Sequence, residues 1–389
     1  MYTGPLRSER SWSHVSRQYS PDNYIRAERL VIEYKRCALN PECICAAQIC
    51  SISCRLTSSI KKMQNDVGHM IREDNHSMVK DIFLVGFHIH SSLKIPSFLL
   101  FLILYNVTVY GNIMITILVS ISPNLKHPMF FFLANLSISD IMFTTNIVPK
   151  MLCAIVKEGV TISFLGCIIQ LQFFGISLVA QCLLLAVMSY DRYLAICNPL
   201  HYVYIMDTTL CVQLVALCWF LGFVISLVTV TMTSRQDFCG PHVIDHFFCD
   251  LVPLLKLSCS DTSSVILENI LLATPLTLFP LVFISVTYIY IFITILKIPS
   301  RNGREKTFST CSSHLTIVGM FYGTLASLYV VPSDGRSLNA NKVLSLLYTF
   351  VTPLFNPIIY SLRNSEIKGA LRKYVFKAKE ELKNTHSVQ

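Results

Sequence analysis

Asp140 stands inside the run PMFFFLANLSISDIMFTTNIV, where a carboxylate is costly unless it faces a partner or water, so it reads by default as a functional residue. The structural alternative is a hydrogen-bond hub joining Asp140 to Asn112 and Asn356, and the two roles are compatible. Asp191, Arg192 and Tyr193 form a second charged group at the end of an apolar run. Standing alone, that triplet reads equally well as charge meeting water and lipid headgroups. Cysteines make the third group: Cys167 opens an apolar run, and Cys239, Cys249 and Cys259 are evenly spaced in a polar loop near Asp and His residues. Two disulfides are arithmetically possible among the four, and spacing alone does not pair them. The run His246-Phe247-Phe248-Cys249-Asp250 holds donors for a soft metal, but a bridged Cys249 cannot also be a thiolate ligand, so no metal is assigned there. Five N-terminal cysteines, Cys37, Cys43, Cys45, Cys50 and Cys54, repeat no zinc spacing and have no histidine beside them. No residue set calls for a cofactor.

The elements that must position these residues are membrane helices. Of 389 residues, 53% are hydrophobic and 14% charged, with mean hydropathy +0.53, too apolar for an ordinary soluble domain. Apolar runs long enough to cross a hydrocarbon core of about 30 Å fall near 96–121, 130–154, 165–193, 211–233, 265–297, 307–331 and 343–362. The expected fold class is an all-α membrane protein, a seven-transmembrane helix bundle with a short amphipathic C-terminal helix. Within the spans Asp140 is the only clear buried charge. Lys and Arg gather in alternate loops, at Lys126, Arg192, and Lys297, Arg301, Arg304 and Lys306, and again in the tail at Arg363, Lys368, Arg372, Lys373, Lys377 and Lys379. That bias puts those segments in the cytosol and the N-terminus outside. A helix running the 25 residues from Cys167 to Arg192 rises about 37 Å, which carries them to opposite membrane faces. Cys167 is then on the oxidising side. Cys153, Cys182, Cys197, Cys211, Cys218 and Cys311 fall in or beside spans, where cysteine acts as a small hydrophobe.

The formal charge of +9 sits in short loops and tails without an aromatic-interleaved stripe, pointing to membrane lipids and an acidic cytosolic partner and not to nucleic acid. Residues 1–69 are polar, rich in Arg and Ser and aperiodic, and are expected to be a disordered extension. Residues 70–95 form an outer N-terminal segment, 96–362 the helical domain and 363–389 the tail. In the tail Asn364 is a cap, and Ile367, Ala370, Leu371, Tyr374 and Val375 share one helical face opposite basic residues, which would lie along the membrane surface. Asn75-His76-Ser77 is a glycosylation sequon before the first span; Asn106 and Asn135 match the pattern inside spans, out of reach of the transferase.

Four longer stretches change the weight of the triplet: MSYDRYLAICNPLHY from Met188, PMFFFLANLSISD from Pro128, KTFSTCSSHLTIV from Lys306 and PLFNPIIYSLRN from Pro353. Together, in this order, they resemble the vertebrate odorant (olfactory) receptors, a branch of the rhodopsin-like G-protein-coupled receptors, from about Met70 to the tail. The resemblance implies a receptor for a small-molecule odorant that activates a heterotrimeric G protein of the stimulatory, olfactory type. It implies that Asp191 and Arg192 form a cytosolic ionic switch, that Tyr288 and Tyr360 swing in on activation, and that Asn356-Pro357 marks a bend in the seventh span. It also implies disulfides Cys167–Cys249 and Cys239–Cys259, which hold the long loop as a lid. A pocket between the outer halves of spans three, five, six and seven is implied as well. Spacing is compatible with that pocket: Phe174 and Leu178 are one turn apart on the face of Cys167, Tyr322, Ala326 and Tyr329 fall at i, i+4 and i+7, and Tyr322, Tyr329 or Thr349 offers a hydrogen bond. The same residues would equally serve as plain helix packing.

The chain departs from the family at residues 1–69, which have no counterpart, and at Gln181, where an acidic residue is common. If Asp140 helps to bind sodium, Gln181 supplies dipole without charge and weakens the site. Thr287 before Tyr288, and Phe130, are milder departures. A transporter or channel is the rival class, but repeated halves and broken midplane helices are missing from the sequence. A non-olfactory rhodopsin-like receptor is the nearer alternative. An enzyme is not expected, since the spans offer no nucleophile and base, or paired metal ligands, at a convincing spacing.

Overall fold

The computed structural model describes residues 80–239, 242–330, 338–364 and 366–374, all within the unit Asp74–Gln389. Asn75 and the N-terminal cysteines lie outside the described residues. Among the described residues, six segments are long and apolar enough to cross a membrane: Ser91–Ile121, Pro128–Lys157, Phe164–Cys197, Thr208–Ser234, Ser263–Lys297 and Lys342–Ser361. The helix between the last two, Arg301–Val330, has 30 residues and so rises about 45 Å. Its Ser, Thr and His residues make it the most polar of the seven. Together these are the spans of an all-α, seven-helix membrane bundle. The third span is central, packing against the second, fourth and fifth.

Boundaries move where local chemistry extends a helix beyond its apolar run. The first span begins at Ser91, ahead of Pro96; the third begins at Phe164, where the Ser163 hydroxyl accepts from the Gly166 amide at 3.1 Å. The fourth begins at Thr208 under an Asp207 carboxylate that accepts from the Leu210 amide at 2.8 Å. Close approach of spans one and seven depends on Gly111, because a Cβ there would lie 3.0 Å from the Pro357 ring. The seventh span is interrupted: Leu338–Leu346 leads into a π turn at Leu347–Val351 and then Thr352–Arg363. Pro353 follows that turn and supplies no amide hydrogen, so the regular ladder cannot continue through it.

The expectation of helix alone omits a small sheet, ordered β2-β1-β3. β1 is Asp81–Leu84, β2 Val160–Ser163 and β3 Val243–Ile244; β1 is antiparallel to β2 and parallel to β3. Ile82 and Leu84 alternate inward on β1 and, with Ile162, Ile244, Leu251 and Leu254, form a separate core around Cys167 and Cys249. The tail helix is capped and packed as follows from its sequence. Asn364 Oδ1 accepts from the amides of Glu366 (2.9 Å) and Ile367 (3.2 Å), and Ile367 and Ala370 are buried in the main core. The Tyr374 hydroxyl donates to the Ile121 carbonyl at 3.0 Å. Part of the apolar face thus packs on the bundle itself beneath spans one and seven. Val375 lies outside the described residues.

Candidate functional site

At the Arg192 end of the third span, Asp191 is fully buried. Its Oδ2 accepts from Arg192, through Nε at 2.8 Å and also through Nη2, and its Oδ1 accepts from the Tyr202 hydroxyl at 2.9 Å. Tyr202 belongs to the short helix Pro199–Ile205, so the loop after the third span fixes the carboxylate that fixes the arginine. Tyr193 meets Tyr290 of the fifth span edge-on, with centroids 6.1 Å apart. The Tyr288 hydroxyl lies 2.7 Å from His314 Nδ1 and the two rings stack at 5.6 Å, tying the fifth span to the sixth. Thr287, one of the family departures, pairs its hydroxyl with that of Ser189 on the third span. Tyr360 is fully buried and its hydroxyl has no partner among the described residues.

Between the two ends, Asp140 Oδ2 accepts from Asn356 Nδ2 at 2.6 Å and Oδ1 accepts from Gln181 Nε2 at 3.2 Å. Gln181 therefore meets the carboxylate with an amide dipole. Asn112 is not part of this hub, contrary to the expected triad. Its Nδ2 donates instead to the carbonyls of Thr108 and Pro353, each at 2.9 Å. The reason is Pro357: it has no amide hydrogen to give the carbonyl four residues back, which is that of Pro353, and Asn112 supplies the missing donor. Two further charges qualify Asp140's solitary place in the spans. Asp191 is buried beside its arginine, and Glu268 of the fifth span accepts from the Thr229 hydroxyl at 3.0 Å, with its second oxygen buried and unpartnered among the described residues.

At the opposite end, disulfides join Cys167 to Cys249 and Cys239 to Cys259. The first draws the loop between spans four and five over the third span. Gln170 then clamps it: Oε1 accepts from the Cys249 amide at 2.8 Å, and Nε2 donates to the Asn146 carbonyl at 2.8 Å while Asn146 Nδ2 returns a 2.8 Å bond to the Gln170 carbonyl. Below this clamp Phe174 meets Phe143 (5.4 Å), Phe248 (5.6 Å) and Tyr348 (6.1 Å) between centroids. Thr349 is buried with its hydroxyl donating to the Ser345 carbonyl at 2.7 Å, so it can accept from a ligand but has no proton to give. Leu178 and Tyr322 belong to the main core deeper in the bundle. The Tyr322 hydroxyl is buried beside the Cys182 thiol and has no other partner among the described residues. Ala326 is exposed: the inward face of the sixth span runs through Val318, Phe321, Tyr322 and Leu325, and Ala326 has rotated past its edge. The Tyr329 side chain lies outside the described residues. Among those residues no three His, Cys, Asp or Glu side chains are grouped as for a metal ion, and Cys249 is engaged in its disulfide.

A family model described as olfactory receptor matches residues 101–378. The chain belongs to the olfactory receptor family. Mouse olfactory receptor 5G9 is 45% identical over 312 residues, covering 80% of this chain and 99% of that protein. Mouse olfactory receptor 5G26 is 48% identical over 297 residues, 76% of this chain and 93% of that one. Human olfactory receptor 10A7 is 42% identical over 302 residues, 78% and 96% respectively. Each relative is nearly spanned while about a fifth of this chain goes unmatched.

Set within an olfactory receptor, several residues gain a place that their types alone did not give them. Phe143, Phe248 and Tyr348 complete the aromatic cluster. Phe248 adjoins a cysteine bonded to Cys167, and Phe174 is two turns below Cys167, so the loop motif held a signal for that contact. His314 sits within the quoted KTFSTCSSHLTIV stretch and is the partner of Tyr288. His246 is buried in the lid, with Nε2 3.2 Å from the Ser345 hydroxyl and Nδ1 unpartnered among the described residues. Burial first, and then the nearby Lys342 charge, push its imidazole from 6.5 down to about 4. The packed loop resists the proton until about pH 4, whereas an imidazole exposed to water binds it near pH 6.5. Packing of His246 therefore contributes its full stability above about pH 6.5 and loses it as pH falls through that window. Hydrogen exchange across residues 243–249 is expected to speed up between those pH values beyond the intrinsic trend, and His246→Gln is expected to flatten the change.

Proposed function

We propose that this olfactory receptor binds a small, mostly apolar odorant among the outer halves of spans three, five, six and seven and activates a stimulatory, olfactory-type G protein, raising cyclic AMP. The observation that carries this reading is the restraint of Arg192 by Asp191 and Tyr202: a cation at the end of the central span, held by bonds that can be exchanged for a partner's. The Cys167 end faces outside and the Arg192 end the cytosol, in accord with the loop charges. Residues 1–69 precede the receptor domain, and Asn75 carries glycan. Residues 70–95 complete the outer segment and 363–389 the cytosolic tail.

The ligand inserts beside Phe174, with Phe143, Phe248 and Tyr348 supplying apolar contact and Tyr322 a hydroxyl donor at the lower end. Binding matters for signalling only through its difference between states. The active state separates the sixth span from the fifth at the cytosolic side, breaking the Tyr288–His314 bond and freeing Tyr288 and Tyr360 to face Arg192, with the weakened ladder around Asn356-Pro357 as the pivot. A net hydrogen bond is worth about 1 kcal/mol, so His314→Phe, which keeps a ring and leaves the Tyr288 hydroxyl for the active state, is expected to raise the active fraction without ligand roughly fivefold. Basal cyclic AMP normalised to surface receptor checks this; a basal level equal to the parent's would remove the bond from the mechanism.

The broad test is cyclic AMP in cells expressing the full chain, beside residues 70–389, across an odorant panel with surface labelling. An odorant-dependent rise in both supports the reading and sets residues 1–69 apart from signalling. Surface-exposed receptor that stays silent to a panel spanning the neutral, acidic and basic odorant classes counts against it.

A further inference from the structure

Lys342 is the one lysine or arginine among the described residues that is fully buried, at 1% exposure. Sequence pattern hid it, because it stands just ahead of the last apolar run and is covered only by segments distant in the chain. Its Nζ donates to Asp245 Oδ1 at 2.5 Å and to the Gly86 carbonyl at 2.8 Å. Gly86 has φ +70°, a turn few other residues make, and this presents its carbonyl to the lysine. The position of the ammonium relative to the ligand site is set by a short chain of contacts. Ser345 is one turn further along the same helix and meets His246. The His246 ring is 4.6 Å from Phe248, and Phe248 contacts Phe174 and Tyr348. Lys342 and Asp245 thus form part of the roof over the aromatic cluster.

We propose that Asp245 is a specificity-determining residue: by holding the Lys342 ammonium it keeps the roof of the ligand site electrically neutral, which favours neutral ligands over carboxylates of the same chain length. The inference rests on the reading of the aromatic cluster as the ligand site. A carboxylate ligand that approaches Lys342 now meets a second carboxylate already bonded to it, and gains nothing for its own lost hydration. Asp245 is 35% exposed on its side chain against 2% for Lys342, so removing the aspartate charge costs the aspartate little and leaves the lysine desolvated with only neutral acceptors for partners. A ligand carboxylate is then the group that best restores what was lost, through a charge-assisted bond. Asp245→Asn keeps the shape and a carbonyl acceptor while deleting the charge.

The test uses full-length receptor and Asp245→Asn, purified in detergent, with the unfolding midpoint followed against increasing octanol or octanoate, since a ligand that binds the folded state raises it. Preference for octanoate over octanol is expected to rise about tenfold or more in Asp245→Asn, the size of a hydrogen bond to a charged group. Asp245→Asn combined with Lys342→Met is expected to erase the gain. An octanoate-to-octanol ratio unchanged from the parent, or a gain that survives Lys342→Met, overturns the proposal. If Asp245→Asn does not fold, Asp245→Ser under the same measurement decides. Octanoate binding by the variant without any odorant-driven cyclic AMP would leave this inference standing and remove the signalling reading; odorant-driven cyclic AMP with no octanoate gain would do the reverse.

Discussion

Receptor carrying Arg192→Ala is expected to reach the cell surface within about twofold of the parent density and to lose roughly thirtyfold or more of its ligand-stimulated cyclic AMP, since losing one partner of a buried interfacial charge contact costs about 2–5 kcal/mol. Surface density should hold because the Arg192 side chain fills no core position: it lies along Asp191, and Asp191 keeps its bond to Tyr202 after the change. Signalling should fail because the cation is what the cytosolic cleft offers a partner once the sixth span has moved. Asp191→Asn is the counterpart. It weakens the restraint on Arg192 without removing it from the cleft, and basal cyclic AMP is expected to rise. Dose-response curves normalised to surface labelling read both variants; full signalling by Arg192→Ala would show that coupling does not run through this residue.

Cys249→Ser is expected to be nearly as severe, for a different reason. The Cys167–Cys249 bond closes 82 residues, and the chain-entropy model gives about 4 kcal/mol for such a loop. Its loss also frees the segment that seats Phe247, Phe248 and His246 over the ligand site and unpins the small core of Ile82, Leu84 and Ile244. Most of the variant should be retained inside the cell, and the fraction at the surface should have lost odorant response. Cys239→Ser opens a loop of only 20 residues and leaves intact the Cys167–Cys249 bond beside Phe248, so surface density should fall less and response per receptor should survive. Equal losses from the two variants would mean that the bonds serve folding alone and that the lid has no part in binding.

What the sequence made legible follows from where the physics is local. Span existence depends on runs of apolar residues, and the seven runs mark the seven helices to within a few residues. Hydrogen bonds between distant segments leave no such trace. Asn112 looked like a partner of Asp140 because both are polar in apolar surroundings; it bonds the Pro353 carbonyl because Pro357, 245 positions away along the chain, creates the vacancy. β1 has four residues, too few to show a period, and becomes a strand only because two loops pair with it. Lys342 stands just ahead of the expected last span and drew no reading there, because the loop that buries it is brought over by a disulfide in another part of the chain. For Ala326 the spacing was right for a shared face, and the error was one of rotation: Tyr322 and Leu325 set the inward direction and leave Ala326 beyond it. Residue type and period locate the machinery in such a bundle, while the partner of each polar group depends on how the helices are turned against one another.

Guanine-nucleotide exchange on a purified stimulatory G protein, driven by membranes containing the full-length receptor with and without an activating odorant, tests the central claim most directly. Exchange is expected to rise with odorant, to fall to the odorant-free level in Arg192→Ala membranes holding equal receptor, and to run above the parent's odorant-free rate in His314→Phe membranes. Odorant that binds the receptor yet leaves exchange unchanged, or an Arg192→Ala receptor that drives it as well as the parent, would contradict the account.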